Sequence, residues 1–506
     1  MTTPDLHPQV SILTPDSPTT HRLNACAYQQ SALTTVAHTQ YAAFYTPTPD
    51  PTTRFLTLAR RDLSDQTSEW HHLTFTDYPQ RTDDGHNTIS VGICAGDGTI
   101  HLAFDHHCDT LHYRLSQPGL AYDTRKSSWT SASFGAVQSH LPGCSPLSDV
   151  TYPRFIPAGE NLFFECRIGR AGAGSEALYL YTPAPNTTST DTPTDTPTDT
   201  PTDTSPPTTT PPNPATVTGK YTPHPTPQAL YLHGQACNPY PNGLSFHTPT
   251  NRLHITWTNR HFVPYEGAED PTSTAHKAQT GPNGPENNEG LYHAFAEVDP
   301  DPSHADRKVG VSVRWRGSRT AHEVLATGAF GANPPDEAEE EATTPLDSQD
   351  PRLRVRRIPR GSGIMNQEGQ FVDADGTLHV LNRENTRAGR EEWVYYVRGL
   401  DGKGWESWAL EGVWPTETGL RGKVVCWRSR VWFILPENER EEWVLARWGR
   451  EEGLEVVWRG YGFTGEPVVD ERALLEVGVL SVFGLRVDGE GGREVVVLTF
   501  GLEGLS

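Results

Sequence analysis

One short pattern recurs three times along the chain: a turn, then an apolar residue, a histidine and another apolar residue. It reads D-G-T-I-H-L-A-F from Asp97 to Phe104, N-R-L-H-I-T-W from Asn251 to Trp257 and D-G-T-L-H-V-L from Asp375 to Leu381. An Asp-Gly or Asn-x turn followed by two-residue alternation marks a β-hairpin, and its recurrence marks a repeat architecture. Other β-branched and aromatic runs, such as Ala42 to Tyr45, Asn161 to Cys166, Gly290 to Glu297 and Glu442 to Trp448, stand between Gly, Asp and Asn. No sustained 3.6-residue periodicity accompanies them. With 45 Gly and 43 Pro in 506 residues, roughly one residue in six breaks helices, which excludes a helical bundle. The pattern predicts an all-β chain, either a β-propeller or a large β-sandwich.

Three polar segments interrupt it. Residues 182–218 consist of Thr, Pro, Asp and Ser with a P-T-D-T period that sets Asp191, Asp195, Asp199 and Asp203 four apart. Such composition cannot bury enough apolar surface to offset chain entropy, so a disordered insertion is expected. Residues 267–289 and 331–350 read as polar surface loops, the latter with the acidic run Asp336, Glu337, Glu339, Glu340 and Glu341. The sequence on both sides of 182–218 is alike, so residues 1–506 are expected to form a single domain.

The net charge of −22 comes from 63 acidic against 41 basic residues. Without a phosphate-neutralising basic stripe, nucleic acid is excluded as a partner. An acidic sugar is not, because local Arg and His placement decides that. No apolar stretch is long enough to span a membrane, and Met1 to Thr20 lacks the basic start and apolar run of a secretory signal. The expectation is a monomeric protein, cytoplasmic or non-classically secreted, with no membrane partner. Seven cysteines without C-x-x-C pairs are expected to be free thiols.

The densest polar constellation is D-D-G-H-N (Asp83 to Asn87), followed by D-H-H (Asp105 to His107). One hairpin, Thr88 to Phe104, separates them, so they would converge at similar heights on neighbouring strands. Paired histidines suit proton transfer or a metal; the plain alternative is two hydrogen-bonded histidines at blade ends. Tyr152 in D-V-T-Y-P-R-F and Arg167 in E-C-R-I-G-R come next. A Tyr before Pro is ordinarily a packed turn residue, and a strand Arg ordinarily pairs with a carboxylate such as Glu165 or Glu176. All 21 His lie at or before His379, whereas nine of 13 Trp lie after it, so the chemistry is expected upstream and scaffold downstream.

These motifs, together with N-P-Y-P-N-G-L-S-F, R-L-H-I-T-W-T-N-R and I-M-N-Q-E-G-Q-F-V-D-A-D-G-T-L-H-V-L-N-R, resemble the BNR-type propellers that include polysaccharide lyases. Those are the ulvan lyases and the L-rhamnose-α-1,4-D-glucuronate lyases acting on gum arabic side chains. The resemblance covers Thr82 to Arg398. It implies a single seven-bladed β-propeller and β-elimination at a uronic acid.

That reaction has independent physical demands. The C5 proton of a glucuronate is too weakly acidic to remove unless its carboxylate is neutralised, a role that suits Arg167. A base must take the proton and an acid must protonate the departing O4. On the resemblance, His86 matches the His of D-x-H-N, His106 the following His, Tyr152 the Tyr of Y-P-x-F and Arg167 the Arg of R-x-G. His106 is the first choice as base or acid, with Tyr152 completing the proton transfer and His86 holding the substrate or the partner His. Strand alternation points only one of His106 and His107 inward, and the resemblance favours His106. Asn242, Arg260, Asn288, Asn366, Gln367 and Arg383 match polar positions expected to contact the sugar.

No cofactor is expected for catalysis. His233, Cys237, His247 and His254 lack a compact zinc spacing, although some related ulvan lyases carry a structural zinc; a structural calcium or zinc ion stays compatible with the resemblance. The expected partner is an acidic saccharide containing glucuronate. The modest basic content favours rhamnose-glucuronate side chains over a sulfated polymer such as ulvan. The rivals are a sialidase-like hydrolase, which wants a carboxylate pair or a Tyr nucleophile with an Arg triad, and a non-catalytic carbohydrate-binding propeller.

Overall fold

The computed structural model describes residues 6–502 except 66, 171, 185–218, 265–283, 299–312, 320–321, 325–344, 386–389, 400–403, 417–418 and 438–440. Its strands form seven sheets. In chain order, blade 1 holds Leu33–Val36, Thr39–Pro47, Arg54–Asp62 and His71–Gln80, and blade 2 holds Ile89–Ile93, Ile100–Phe104 and Tyr113–Leu115. Blade 3 is built on Val150–Ala158, Asn161–Ile168 and Ser175–Thr182, and blade 4 on Cys237–His247, Arg252–His261 and Asn288–Val298. Blade 5 comprises Gly369–Val372, Leu378–Asn385, Glu391–Arg398 and Glu406–Leu410; blade 6 comprises Lys423–Trp427, Arg430–Glu437, Glu442–Gly449 and Gly453–Tyr461. Blade 7 takes Phe463–Val469, Val479–Val487 and Arg493–Gly501 from the end of the chain and Gln9–Pro15 from its beginning. This is a seven-bladed β-propeller, the fold expected from the resemblance; the sandwich alternative is discarded.

The pairing of Gln9–Pro15 with Arg493–Gly501 closes the ring. Polar bonds across the seam support it: Arg493 meets Asp16 at 2.9 Å, and the Asp470 carboxylate of blade 7 accepts from Thr35 Oγ1 and Gln40 Nε2 of blade 1 at 2.6 and 2.8 Å. Between blades the packing is aromatic and apolar, with Trp257, Trp315, Trp393, Trp432 and Trp443 fully buried. Blades 2 and 3 approach so closely that a Cβ at Gly92 would lie 2.4 Å from Phe155. All seven cysteines are free, as expected. Among the described residues no helix is long and apolar enough to cross a membrane.

The recurring histidine now has a structural explanation. His101, His254 and His379 occupy the second strands of blades 2, 4 and 5, and each is buried. His101 Nδ1 bonds Tyr113 and Tyr221 hydroxyls at 2.7 and 2.8 Å, His254 Nδ1 faces His293 at 3.3 Å, and His379 Nδ1 bonds the Tyr395 hydroxyl at 2.8 Å. Each ring therefore locks its strand to the third strand of the blade. The aspartate of the preceding turn folds the hairpin: Asp97 accepts the Thr99 amide at 3.0 Å and Asp373 accepts the Thr377 amide at 2.8 Å.

Most of the three expected insertions lies outside the described residues. Their described ends carry regular structure: Thr182 ends a blade 3 strand, Asn288 begins a blade 4 strand, and Leu346–Asp347 pairs in parallel with Leu230–His233.

Replacing His101 by Ala would strand two buried tyrosine hydroxyls and open a small cavity, so a loss of about 2–4 kcal/mol in denaturant unfolding is expected. Burial lowers the His101 pKa from 6.5 to about 3. The unfolded chain therefore takes up a proton at a higher pH than the folded one. Stability held above pH 6.5 should drain away as pH falls toward 3, and His101→Ala should flatten that slope.

Candidate active site

The seven inner strands lie side by side around the axis, and the residues at or just before their starts form one connected cluster. Blade 1 supplies Tyr28, blade 2 Asp84 and His86, blade 3 Tyr152, blade 4 Tyr240, blade 5 Asn366, blade 6 Arg421 and blade 7 Glu466. Tyr28 stacks on His86 at 4.5 Å and lies 5.4 Å from Tyr152, which is 5.9 Å from Tyr240. Arg421 sits 5.6 Å from the Tyr28 ring, donates to Asn366 Oδ1 at 2.6 Å and pairs with Glu466 at 2.9 Å. The second strands return to the same face, which adds Arg167 and Arg260.

Local backbone geometry aims these groups. In blade 3, Thr151 pairs with Arg167 and Arg154 with Glu165, so Tyr152 and Pro153 together oppose Cys166 in a β-bulge. Tyr152 takes a left-handed φ of 57°, which is strained for a bulky residue and redirects its side chain. Arg167 lies beneath it, its guanidinium carbon 4.7 Å from the Tyr152 ring, with bonds to Thr151 Oγ1 at 3.0 Å and the Tyr240 hydroxyl at 3.3 Å. It is 1% exposed, so it forms the floor of the cluster. It does not pair with the carboxylates named from sequence: Glu165 pairs with Arg154 at 2.8 Å. Arg260, only partly buried, stacks on Tyr240 at 4.8 Å.

The histidine expectation needs correction. His107, not His106, joins His86: the two rings stack at 3.8 Å, and both Nδ1 atoms bond the Asp84 carboxylate at 2.6 Å. His106 faces away, accepts the His112 amide at 2.7 Å through Nε2 and is fully buried. The physical reason is that the strand ends at Phe104 and Asp105 turns through a φ of 63°, so strand alternation does not govern the doublet.

Asp84 fixes the state of both imidazoles. A carboxylate accepting from each Nδ1–H leaves Nε2 unprotonated in the neutral ring. Burial lowers both histidines, against the pull of Asp84, and brings His107 to about 4. Burial opposes the Asp84 carboxylate, yet the hydrogen bonds from His107 and His86 outweigh it and hold its pKa well below the usual range. The tyrosines diverge. Burial pushes the Tyr152 phenol well up, whereas Arg260 and Arg167 overcome burial at Tyr240 and bring it below its ordinary value.

Of the six expected sugar contacts, Arg260 and Asn366 stand in the cluster, Arg260 as its partly buried guanidinium. Asn242 ties blade 4 to blade 5 by accepting the Glu368 amide at 3.3 Å. Asn288 accepts from Arg260 Nε at 2.8 Å and donates to Ile364 O, so it positions that arginine. Asn366 is consumed by Arg421. Gln367 is buried at a φ of 57°, and neither polar atom of its side chain has a protein partner. Arg383 is held by Glu391 and the Thr416 carbonyl, and it reaches the Leu420 carbonyl next to Arg421 at 3.5 Å.

The four residues weighed for zinc do not converge. His233 faces Ser175, Cys237 faces Ser348, His247 faces Thr250 and His254 faces His293. Among the described residues, the groupings with metal-ligand spacing are Asp84, His86 and His107, whose facing atoms are already hydrogen-bonded, and Asp373, His379 and Cys426 between blades 5 and 6.

The profile of the BNR repeat-containing family matches residues 39–411. The chain belongs to that family. Its fold is similar to that of the polysaccharide lyase Uly1, at 15% identity and a TM-score of 0.56, over 96% of this chain and 93% of that one. It is also similar to a PL25 ulvan lyase solved with -[GlcA(1-4)Rha3S]-, at 10% identity and a TM-score of 0.54, over 96% and 95% of the chains. No curated protein matches the sequence.

Sequence reasoning missed Tyr28, Tyr240, Arg421 and Glu466. A usable signal was present for Tyr240, because Tyr-Pro recurs at Tyr152-Pro153 and Tyr240-Pro241 near the starts of two successive inner strands. His107→Ala is expected to lower turnover at least about 100-fold. His106→Ala should chiefly reduce thermal stability, a contrast that parallel activity and unfolding measurements would read.

Proposed function

We propose that this propeller is a polysaccharide lyase that breaks the O4 glycosidic bond of a glucuronate by β-elimination. The observation that carries the proposal is the Asp84 carboxylate holding His86 and His107 by Nδ1, with Tyr152 5.6 Å from the His86 ring and two arginines beside them. Arg260 grips the uronate carboxylate, supported by Asn288, and so acidifies C5–H. His86 accepts the C5 proton at Nε2. The electron pair of that bond forms the C4–C5 double bond as the C4–O4 bond breaks. Tyr152, kept protonated by burial, gives its proton to O4, and solvent restores both groups. Arg167 beneath Tyr152 stabilises the phenolate left when that proton departs. No cofactor takes part.

The two carboxylates of the cluster are engaged, Asp84 by His86 and His107 and Glu466 by Arg421 and the Ala27 amide, which supports elimination over a hydrolysis run by a carboxylate pair. The finer substrate choice is between rhamnosyl-glucuronate side chains of the gum arabic type and ulvan. The first rests on the overall acidity of the chain, the second on a local arginine cluster described below.

Incubation with gum arabic and with ulvan should generate an unsaturated uronate, seen as new ultraviolet absorbance, from at least one of them. A reducing end released without that absorbance would overturn the lyase assignment in favour of a hydrolase. Tyr152→Phe should remove about two orders of magnitude or more from kcat. The acid limb of the kcat/KM profile should fall below pH 6.5, because burial lowers His86. Asp84→Asn removes the charge that favours imidazolium, so it should shift that limb to still lower pH while reducing kcat.

A further inference from the structure

The acidic chain contains one concentrated basic run that its net charge conceals: residues 351–360 hold five arginines and no carboxylate. Arg352 is clamped by Asp350, and Arg356 is exposed toward Glu384. The other three, Arg354, Arg357 and Arg360, line a cavity of about 420 Å³ with Glu289, Gly290 and Tyr292. Arg357 and Arg360 are exposed, and among the described residues neither has an ion-pair partner. The carboxylate in the wall, Glu289, lies 2.8 Å from His261 Nε2.

The location ties this cavity to the cluster at the axis. Glu289 and Gly290 directly follow Asn288, the residue that holds Arg260, and the Gly290 amide donates to the Ile358 carbonyl at 2.9 Å. The arginine segment is thereby fastened beside the residues that position Arg260. Three arginines lining a solvent-accessible space of this size match a planar or tetrahedral oxyanion carried on a sugar ring.

We propose that this cavity is an anionic subsite that takes the sulfate ester or carboxylate of a sugar flanking the cleaved glucuronate. The inference rests on the lyase reading for its substrate class. It favours an acidic chain that extends past the bond over a lone rhamnose cap.

The test uses the full chain with Arg357→Ala and Arg360→Ala combined, two exposed positions outside the catalytic cluster. With ulvan, KM should rise about tenfold while kcat stays within about twofold, and the salt sensitivity of KM should weaken. If sulfate is the bound group, the rise disappears on chemically desulfated ulvan; if the carboxylate is bound, the rise is equal on both. An unchanged KM on both polymers overturns the subsite. Calorimetric titration of ulvan oligosaccharides separates the two proposals. Should wild type eliminate no uronide, the lyase reading alone fails, and the subsite then stands on an affinity loss of about tenfold in the double variant or falls on equal affinity.

Discussion

Everything at the axis depends on ring closure by Gln9–Pro15 lying against Arg493–Gly501. A propeller blade is anchored mainly by its neighbours, so an open ring would let the first and last blades splay. The cluster draws on both sides of that seam: Tyr28 follows the N-terminal strand, Glu466 precedes the C-terminal ones, and Glu466 bonds the Ala27 amide directly. The strand that seals the sheet thus also fixes the distance between Tyr28 and Arg421. Closure and site assembly are one event, with the seam carbonyls and carboxylates satisfied by Thr35, Gln40 and Arg493.

Burial is the second constraint, and it acts unequally on groups of one type. His86 and His107 share a carboxylate, whereas His101 and His106 do not; all are buried, and only the first pair keeps a charged partner that can stabilise imidazolium. The tyrosines divide in the same way. Tyr240 lies between two guanidiniums, and Tyr152 shares only the lower one at close range. One phenol is therefore inclined to lose its proton and the other to retain it. The protonation tendencies of the two phenols are thus separated by placement around the axis and not by residue type.

The fold was legible because its signals are local. Turn aspartates, alternation and a cross-strand histidine each act within one hairpin, and three copies of that unit marked the repeat. Of the residues singled out from sequence, His86, Tyr152, Arg167 and Arg260 come together at the axis, and they sit close to such motifs. The misread ones depend on longer-range geometry. His106 and His107 differ only through a backbone turn at Asp105 that no alternation rule describes. Arg421 and Glu466 lie in the tryptophan-rich part that was assigned to scaffold, and ring closure alone brings them beside Tyr28. Asn242, Asn366 and Arg383 are of the right types near strand ends, yet Glu368, Arg421 and Glu391 respectively engage their polar atoms.

Net charge illustrates the same limit. At −22 the chain as a whole repels an acidic polymer, yet field strength near a bound sugar is set by charges within about a Debye length of 8–10 Å. The acidic run at 336–341 and the arginine run at 352–360 are near one another in sequence, and a sum over the chain cancels them. Arg354, Arg357 and Arg360 line one cavity, fastened through Gly290 next to the Asn288 that holds Arg260, so their charges add there. A substrate meets that cavity, not the average. The overall acidity that favoured an uncharged rhamnose cap is therefore the weaker guide, and the face that carries Tyr152 and His86 is the one whose charge bears on what binds there.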